Sequence, residues 1–221
     1  MNLDRAMNID YHCHILPGID DGAATLEDSI MLAKAQHSWG FDRVYCTPHI
    51  TADHRNTPDT IRPKFEALQE ALYKEGCPLD IRMSAECRLV PDTWPEVVEK
   101  NWLMPIEDKY ILTELPINKP YKMGWIKPEE ELKRVISMGL TPLLPHPERY
   151  AYLSEDDLLR FLDAGAVFQS NYGSLAGLYG EEVRQKVLNL KEKGFISLYG
   201  TDLHNAKYAK VLTEWFKNNP L

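Results

Sequence analysis

No stretch of this sequence is apolar for the length a membrane span requires, and the opening residues Met1 to Asp10 hold no apolar signal core. Cysteine is sparse. Cys13, Cys46, Cys77 and Cys87 form no C-x-x-C pair, which speaks against a disulfide scaffold and for a reducing cytoplasm. Positive charge is in deficit, with 25 Lys and Arg against 33 Asp and Glu and a formal charge of -8. Such a chain projects no general field to draw in nucleic acid or anionic lipid, so an anionic ligand must find its positive charge at one place. Linkers, low-complexity tracts and internal repeats are also missing. The expectation is a cytoplasmic protein that neither enters a membrane nor binds nucleic acid.

Two nucleophile signatures are absent as well. A thiolate phosphatase needs Arg six residues after its Cys, but those positions hold Ile19, Ala52, Met83 and Thr93. The serine elbow G-x-S-x-G does not occur. What is present is ordinary for a globular protein: 221 residues, 44% hydrophobic and 26% charged. A chain of that length buries a sizeable core, and one domain over residues 1–221 is expected.

Short β-rich runs alternate with helical patterns. The strands are expected at Met7–His12, Arg43–Thr47, Ile81–Ala85, Tyr110–Glu114, Thr141–Pro145, Val167–Asn171 and Ile196–Gly200. The helices are expected at Leu26–Trp39, Pro58–Glu75, Glu129–Met138, Ser154–Ala164 and Glu181–Lys193. Thr25 with Asp28 offers a variant capping box for the first, and Gly76, Gly139, Gly165 and Gly194 end the others. Pro91–Trp94 and Lys119–Trp125 read as loops. Seven β/α units suggest a TIM-like barrel, with an open doubly wound sheet as the alternative. That sheet wants a glycine-rich phosphate turn after its first strand, where this chain has Cys13-His14-Ile15-Leu16-Pro17-Gly18.

The strand ends carry the chemistry. His12 and His14 close the first strand, Thr47-Pro48-His49 the second, Glu86 the third, Glu114 the fourth and His146 the fifth. Asn171 ends the sixth, and Asp202 and His204 follow the seventh. In an α/β barrel these ends converge on the face where active sites lie. Residues two apart on a strand share a face, so His12 and His14 aim together, and Asp10 is expected to orient one of their rings. His37 and His54, on a helix and in a polar loop, read as surface residues. Imidazole with carboxylate and no thiolate suits Mn, Fe or Zn rather than Ca. Nine ligands, with Asp21 counted, exceed one site and fit two or three ions. Four carboxylates carry -4 and three divalent ions +6, which leaves about +2, a match for a dianionic phosphate monoester. Tyr121, Trp125, Tyr150, Tyr152 and Tyr172 follow strands and either line a pocket for an aromatic ring or pack in the barrel loops. No lysine follows a strand end, as a carboxylated-lysine amidohydrolase would want. The full ligand set also argues against a non-enzymatic regulatory protein.

At His12-x-His14, Asp20-Asp21-Gly22, Thr47-Pro48-His49, Ala85-Glu86, Glu114-Leu115-Pro116, His146-Pro147-Glu148-Arg149-Tyr150 and Thr201-Asp202-x-His204, the sequence resembles the PHP (polymerase and histidinol phosphatase) superfamily. Within it the likeness is to bacterial manganese-dependent protein-tyrosine phosphatases linked to capsular and exopolysaccharide synthesis, and it covers about Ile9 to Asn205. The resemblance implies a distorted (β/α)7 barrel with three metal ions. One would take His12, His14, Glu86 and Asp202. A second would share Glu86 and add Glu114 and His146. The third would take Asp21, His49 and His204. It implies hydrolysis of phosphotyrosine on a bacterial tyrosine autokinase, with a metal-bridging hydroxide attacking phosphorus. By position, Arg149, three residues past His146, is expected to donate to the phosphoryl group, with Asp20 and a metal-bound water as the candidate general acids. Many relatives carry histidine at the positions of Asp21 and Glu114, so acids there favour the tyrosine-phosphatase branch. The remaining alternative within the superfamily is a histidinol phosphatase or a phosphodiesterase.

Overall fold

The structure, a computed structural model, describes residues 7–118 and 127–221. Tyr121, Trp125 and the expected loop Lys119–Trp125 lie outside the described residues. The strands are β1 Ile9–Cys13, β2 Arg43–Cys46, β3 His49–Ile50, β4 Asp80–Met83, β5 Glu86–Arg88, β6 Tyr110–Glu114, β7 Thr141–Pro145, β8 Val167–Asn171 and β9 Ile196–Gly200. The helices are α1 Leu26–Ser38, α2 Pro58–Lys74, α3 Trp94–Glu99, α4 Pro128–Ser137, α5 Glu155–Asp163, α6 Tyr172–Leu175, α7 Glu181–Glu192 and α8 Ala206–Asn218. Every named strand pairing is parallel.

Seven expected strands become nine because the second and third each break. Pro48 has no N–H to give a ladder, and the chain leaves the sheet at Thr47-Pro48 and again at Ser84-Ala85. The first halves make one sheet, in the order β1-β2-β4, and the second halves open another, in the order β3-β5-β6-β7-β8-β9. Backbone bonds span both seams. Ser84 N donates to Cys46 O at 2.9 Å and Glu86 N to Pro48 O at 3.0 Å. Opposite, Asp202 N donates to His12 O at 2.8 Å and His14 N to Leu203 O at 2.9 Å, bringing the exit of β9 against β1. The barrel is therefore a distorted one, two stitched sheets rather than one closed sheet.

Local chemistry starts the helices where expected. Thr25 with Asp28, Thr57 with Thr60 and Ser154 with Asp157 each form a reciprocal capping box, so orphan N–H groups of α1, α2 and α5 are satisfied. The stretch read as a loop at Pro91–Trp94 runs instead into α3, whose first turn tolerates Pro95 because that N–H needs no helical partner. The terminal helix, given no bounds from sequence, is α8, capped by Asn205 onto the N–H groups of Lys207 and Tyr208. A large apolar cluster fills the space between strands and helices, including Leu32, Val44, Leu68, Val135, Phe161 and Phe168. A second, built on Tyr45, Ile106, Leu112 and Leu143, draws in Ile9, Tyr11, Val167 and Leu198 from the strands around it. Polar residues sit further along the same strands: Leu112 is followed at i+2 by Glu114, and Val167 by Gln169 and then Asn171.

Two glycines let the chain close on the site. A Cβ on Gly22 would stand 2.0 Å from His14 O, and one on Gly200 would stand 2.6 Å from His12 Cβ and 3.0 Å from Gln169 Nε2. Gly200→Ala is expected to cost about 1–3 kcal/mol of unfolding free energy by overpacking and to displace the His12 ring. Thermal melts and metal analysis of the variant check this; unchanged stability and metal content would mean that β9 shifts freely.

Candidate metal centre

Six of the nine expected ligands come from strand ends or the residues just past them, and the structure brings all nine to one end of the strands. His12 is the penultimate residue of β1 with His14 just beyond its end, and Asp21 lies in the following loop. His49 opens β3, Glu86 opens β5 and Glu114 ends β6. His146 follows β7, and Asp202 and His204 follow β9. His146 and Asp202 hold left-handed backbone conformations, at φ 38° and 51°, unusual for non-glycine residues. Such strain persists where surrounding bonds impose it. Here His146 N donates to Gln169 O at 2.6 Å and Asp202 N to His12 O at 2.8 Å.

The spacing of donor atoms is that of ligands on a shared ion. Atoms bound at ~2.1 Å to one ion lie roughly 3.0 Å apart on an octahedral edge and roughly 3.4 Å on a tetrahedral one. His12 Nε2 stands 3.0 Å from His14 Nε2. Both face Glu86 Oε2 at 3.4 Å, and they face Asp202 Oδ1 at 3.4 and 3.5 Å. His146 Nε2 lies 3.4 Å from Glu86 Oε1 and 3.8 Å from Glu114 Oε1. Asp21 Oδ1 lies 3.4 Å from His49 Nε2 and 3.6 Å from His204 Nε2. His49 Nδ1 is 2.9 Å from Glu86 Oε2 yet out of line for a hydrogen bond. Glu86 Oε1, which faces His146 Nε2, is likewise buried without a hydrogen-bond partner. Buried polar atoms without partners are costly, and divalent cations would satisfy this donor set.

The surroundings prepare the rings. Gln169 Oε1 accepts from His12 Nδ1 at 2.9 Å, and Asp20 Oδ2 accepts from His14 Nδ1 at 2.9 Å. The carbonyl of Asp202 accepts from His204 Nδ1 at 2.8 Å. Each bond fixes a tautomer that leaves Nε2 with its lone pair toward the cluster. Two such lone pairs 3.0 Å apart, on His12 and His14, repel unless a cation lies near both.

Charge gives the same reading. Burial would push the His12 imidazole down, but Glu86 and Asp202 raise it to about 10. Burial likewise opposes His49, which Glu86, Glu114 and Asp21 lift to about 9. Burial and the charge of Glu86 push the Glu114 carboxyl up to about 7. Burial holds His146 down at about 4 against the pull of Glu86. The acids thus demand positive charge, and protons on the imidazoles of His12, His49 and His204 supply it when nothing else does. Those protons would occupy the atoms that bind metal.

The structure bears on three expectations. Asp20 was a candidate proton donor. Burial alone would raise its carboxyl, but His14 and His49 hold it at about 2. It accepts from His14 Nδ1, from Gly22 N at 3.0 Å and from His49 N at 3.0 Å. In the metal-free protein these partners hold the Asp20 carboxylate ionised, with its oxygens turned to the His14 ring and two backbone N–H groups. Asp10 does not orient an imidazole: the β1 ladder is irregular between Asp10 and Cys13, so strict alternation fails. Its carboxylate accepts instead from His12 N, Gln36 Nε2 and Thr201, and Gln169 takes the role on the His12 ring. Of the aromatic candidates, Tyr150 is buried with its hydroxyl accepting from Leu115 N, and Tyr172 packs among Phe41, Trp215 and Phe216. Tyr150 also lies against His146, with ring centroids 5.5 Å apart, while Tyr179 and Tyr208 approach the cluster from Asp202 and His204.

A cavity of about 310 Å³ opens onto the ligands, lined also by Arg88, Ile117, Arg149 and Tyr208. Arg149 sits on a 3-10 turn after β7 and donates to Asp202 Oδ2 at 2.8 Å. It is not paired with Glu148, whose buried carboxylate accepts from Ser170, Asn171 N and Ser174. Arg88, which the sequence reading passed over, donates to Glu114 Oε2 at 2.6 Å. Its signal was its place two residues after Glu86 on a strand. Gln169 had a similar signal, standing two before Asn171.

Parallel β/α architecture with nine imidazoles and carboxylates gathered at one end of the strands defines an α/β protein with a candidate metal centre. Residues 8–211 match the family model for capsular polysaccharide synthesis proteins CpsB and CapC, and the chain belongs to that family. It is 33% identical over 209 residues to the tyrosine-protein phosphatase YwqE of Bacillus subtilis, covering 93% of this chain and 81% of that protein. It is 25% identical over 206 residues to the tyrosine-protein phosphatase CpsB of Streptococcus pneumoniae, covering 89% and 83%. A crystal structure reported for YwqE and CpsB as metal-dependent tyrosine phosphatases matches with a TM-score of 0.82 at 31% identity, over 93% of this chain and 86% of that one. Histidinol phosphate phosphatase from Lactococcus lactis shares the fold, at a TM-score of 0.54 and 13% identity over 96% and 93% of the two chains. No helix among the described residues is long and apolar enough to cross a membrane.

The raised imidazoles set a pH response of the metal-free protein. His12 and His49 have folded values of about 10 and 9 against an unfolded 6.5. Their contribution is complete below the unfolded value and is lost as pH rises through the folded ones. The melting temperature of chelated protein is expected to fall between pH 7 and 9. Added divalent cation should oppose that fall, because ligands that have lost their protons bind it better. Scanning fluorimetry across that range, with and without cation, checks both; a rising or flat chelated curve would contradict the charge balance described.

Proposed function

We propose that this chain is a metal-dependent protein-tyrosine phosphatase, a single cytoplasmic metallophosphatase domain over residues 1–221. The observation that carries the metal reading is the set of donor spacings around His12, His14, Glu86 and Asp202, from 3.0 to 3.5 Å. The family supports the substrate class. His12, His14, Glu86 and Asp202 would hold one ion, Glu86, Glu114 and His146 a second, and Asp21, His49 and His204 a third. Mixed nitrogen and oxygen ligands suit manganese first, with iron or zinc as replacements. Bound divalent ions supply Lewis-acid polarisation of phosphoryl oxygens and a water nucleophilic at neutral pH.

The chain's own groups do the rest. Arg149 spends one N–H on Asp202 and offers the remainder of its fork to the phosphoryl oxygens. Gln169 and Asp20 hold the His12 and His14 rings in place. Arg88 fixes one oxygen of Glu114 and leaves the other toward His146. The departing phenolate, with a pKa of ~10, needs less proton help than an alkyl alcohol. The physiological substrate on this reading is a phosphotyrosine-bearing protein, a bacterial tyrosine autokinase of capsule or exopolysaccharide synthesis.

Turnover of a phosphotyrosyl peptide, histidinol phosphate and a bis-aryl phosphate under equal conditions tests the reading. The peptide is expected to be preferred, EDTA to abolish turnover and manganese to restore it. Preference for histidinol phosphate or the diester, or activity indifferent to EDTA, would overturn it. Arg149→Ala is expected to lower kcat/KM by ~10²-fold, as loss of a charge-stabilising donor does, with metal content unchanged. Loss of metal in step with activity would make Arg149 a structural residue.

A further inference from the structure

Arg149 is an arginine at the mouth of a cavity, and an arginine on its own has many orientations to lose. The structure restrains it from two sides. One is the bond from Nη1 to Asp202 Oδ2 at 2.8 Å. The other is Tyr179, whose ring lies under the guanidinium with Cζ 4.3 Å from the ring centroid. The Tyr179 hydroxyl also reaches Asp202 Oδ2, at 3.3 Å. Asn171 Nδ2 donates to that oxygen at 2.7 Å, so Oδ2 is taken up by its neighbours while Oδ1 faces His12 and His14.

The platform is built rather than incidental. Tyr179 lies between α6 and α7, on a loop closed by Leu178 N donating to Gly173 O at 2.9 Å and Gly180 N to Gly177 O at 3.1 Å. A Cβ on Gly173 would stand 3.3 Å from Tyr179 Cε2, so that glycine leaves room for the ring. Tyr208 meets the same ring edge-on, with centroids 6.1 Å apart at 83°. An aromatic face under a guanidinium keeps the plane of the fork fixed without using its N–H groups.

We infer that Tyr179 is a positioning residue that holds the Arg149 guanidinium flat at the cavity mouth, with its donors presented to the phosphoryl group of the substrate. The inference rests on the role given to Arg149 above. The ring does this by stacking, and the hydroxyl by sharing Asp202 Oδ2. Fixing the fork in advance spares the ordering cost when substrate arrives.

The test is a double-mutant cycle on phosphotyrosyl-peptide hydrolysis by the manganese-loaded protein, with metal content and melting temperature measured for every variant. Tyr179→Leu is expected to lower kcat/KM about tenfold, the scale of a partly desolvated cation–π contact, at unchanged metal content. Tyr179→Phe keeps the ring and is expected to recover most of that loss. Competitive inhibition by inorganic phosphate should weaken in parallel in Tyr179→Leu. In the Arg149→Ala background, Tyr179→Leu should add almost nothing, because its effect runs through the missing guanidinium. A normal Tyr179→Leu alongside a damaged Arg149→Ala overturns this inference alone. An additive penalty in the double variant, or a loss of metal in Tyr179→Leu, overturns it too. A normal Arg149→Ala overturns the phosphoryl-binding role on which it rests. Should Tyr179→Leu fold poorly, Tyr179→Met replaces it, with the same outcomes decisive.

Discussion

Glu86 is the group on which the rest of the site depends. Its Oε2 stands 3.4 Å from both His12 and His14 and 2.9 Å from His49, and its Oε1 stands 3.4 Å from His146. One carboxylate, essentially without exposure to solvent, therefore faces four imidazoles from different parts of the chain. A buried acid on this scale is stable only with matching positive charge. The protein supplies that charge only by protonating imidazoles that are otherwise aimed as ligands. The backbone is arranged around the same residue. The chain leaves the sheet at Ser84-Ala85 and re-enters at Glu86, whose N–H is taken by Pro48 O. The break that makes the barrel irregular is thus also what delivers Glu86 and His49 side by side in register.

Much of the fold was legible in the sequence. The bounds of β6, β7, β8 and β9 agree with the expected strands, because each is a short, largely apolar or β-rich run. Helices α1, α2 and α5 begin where their capping residues stand. The split strands were not legible: β3 has only two residues, and its existence depends on pairing with β5 far along the chain. The helix α3 was hidden by its prolines, which mark turns as readily as helix starts.

At the site, the convergence of the nine candidate ligands was readable because most of their motifs place a distinctive side chain at or near the end of a strand. The supporting residues were not. Gln169 looks like any strand amide until the His12 ring is seen against it. Asp20 and Asp21 are adjacent and chemically equal in sequence, yet one is sealed behind His14 and the other is 60% exposed on the cluster's outer side. Tyr179 lies in a loop with no periodicity to mark it, whereas Tyr150, beside the motif arginine, is spent on packing. Strict alternation along β1 misassigned Asp10, since an irregularity in the ladder turns the chain between Asp10 and Cys13.

The left-handed turns at His146 and Asp202 carry a further meaning. A non-glycine residue in that conformation stores on the order of 1–2 kcal/mol, and here two residues do so within one cluster. Both are donors to the same group of ions on the reading given above, so ligation and tension share the same residues. With ions bound, ligation would add to the backbone bonds that impose these conformations, and without ions those bonds alone hold them. The amides of His146 and Asp202, tied to Gln169 O and His12 O, then serve as sentinels of occupancy. Loss of metal would register as loosening between β7 and β8 and between β9 and β1, well before the apolar body of the molecule gives way.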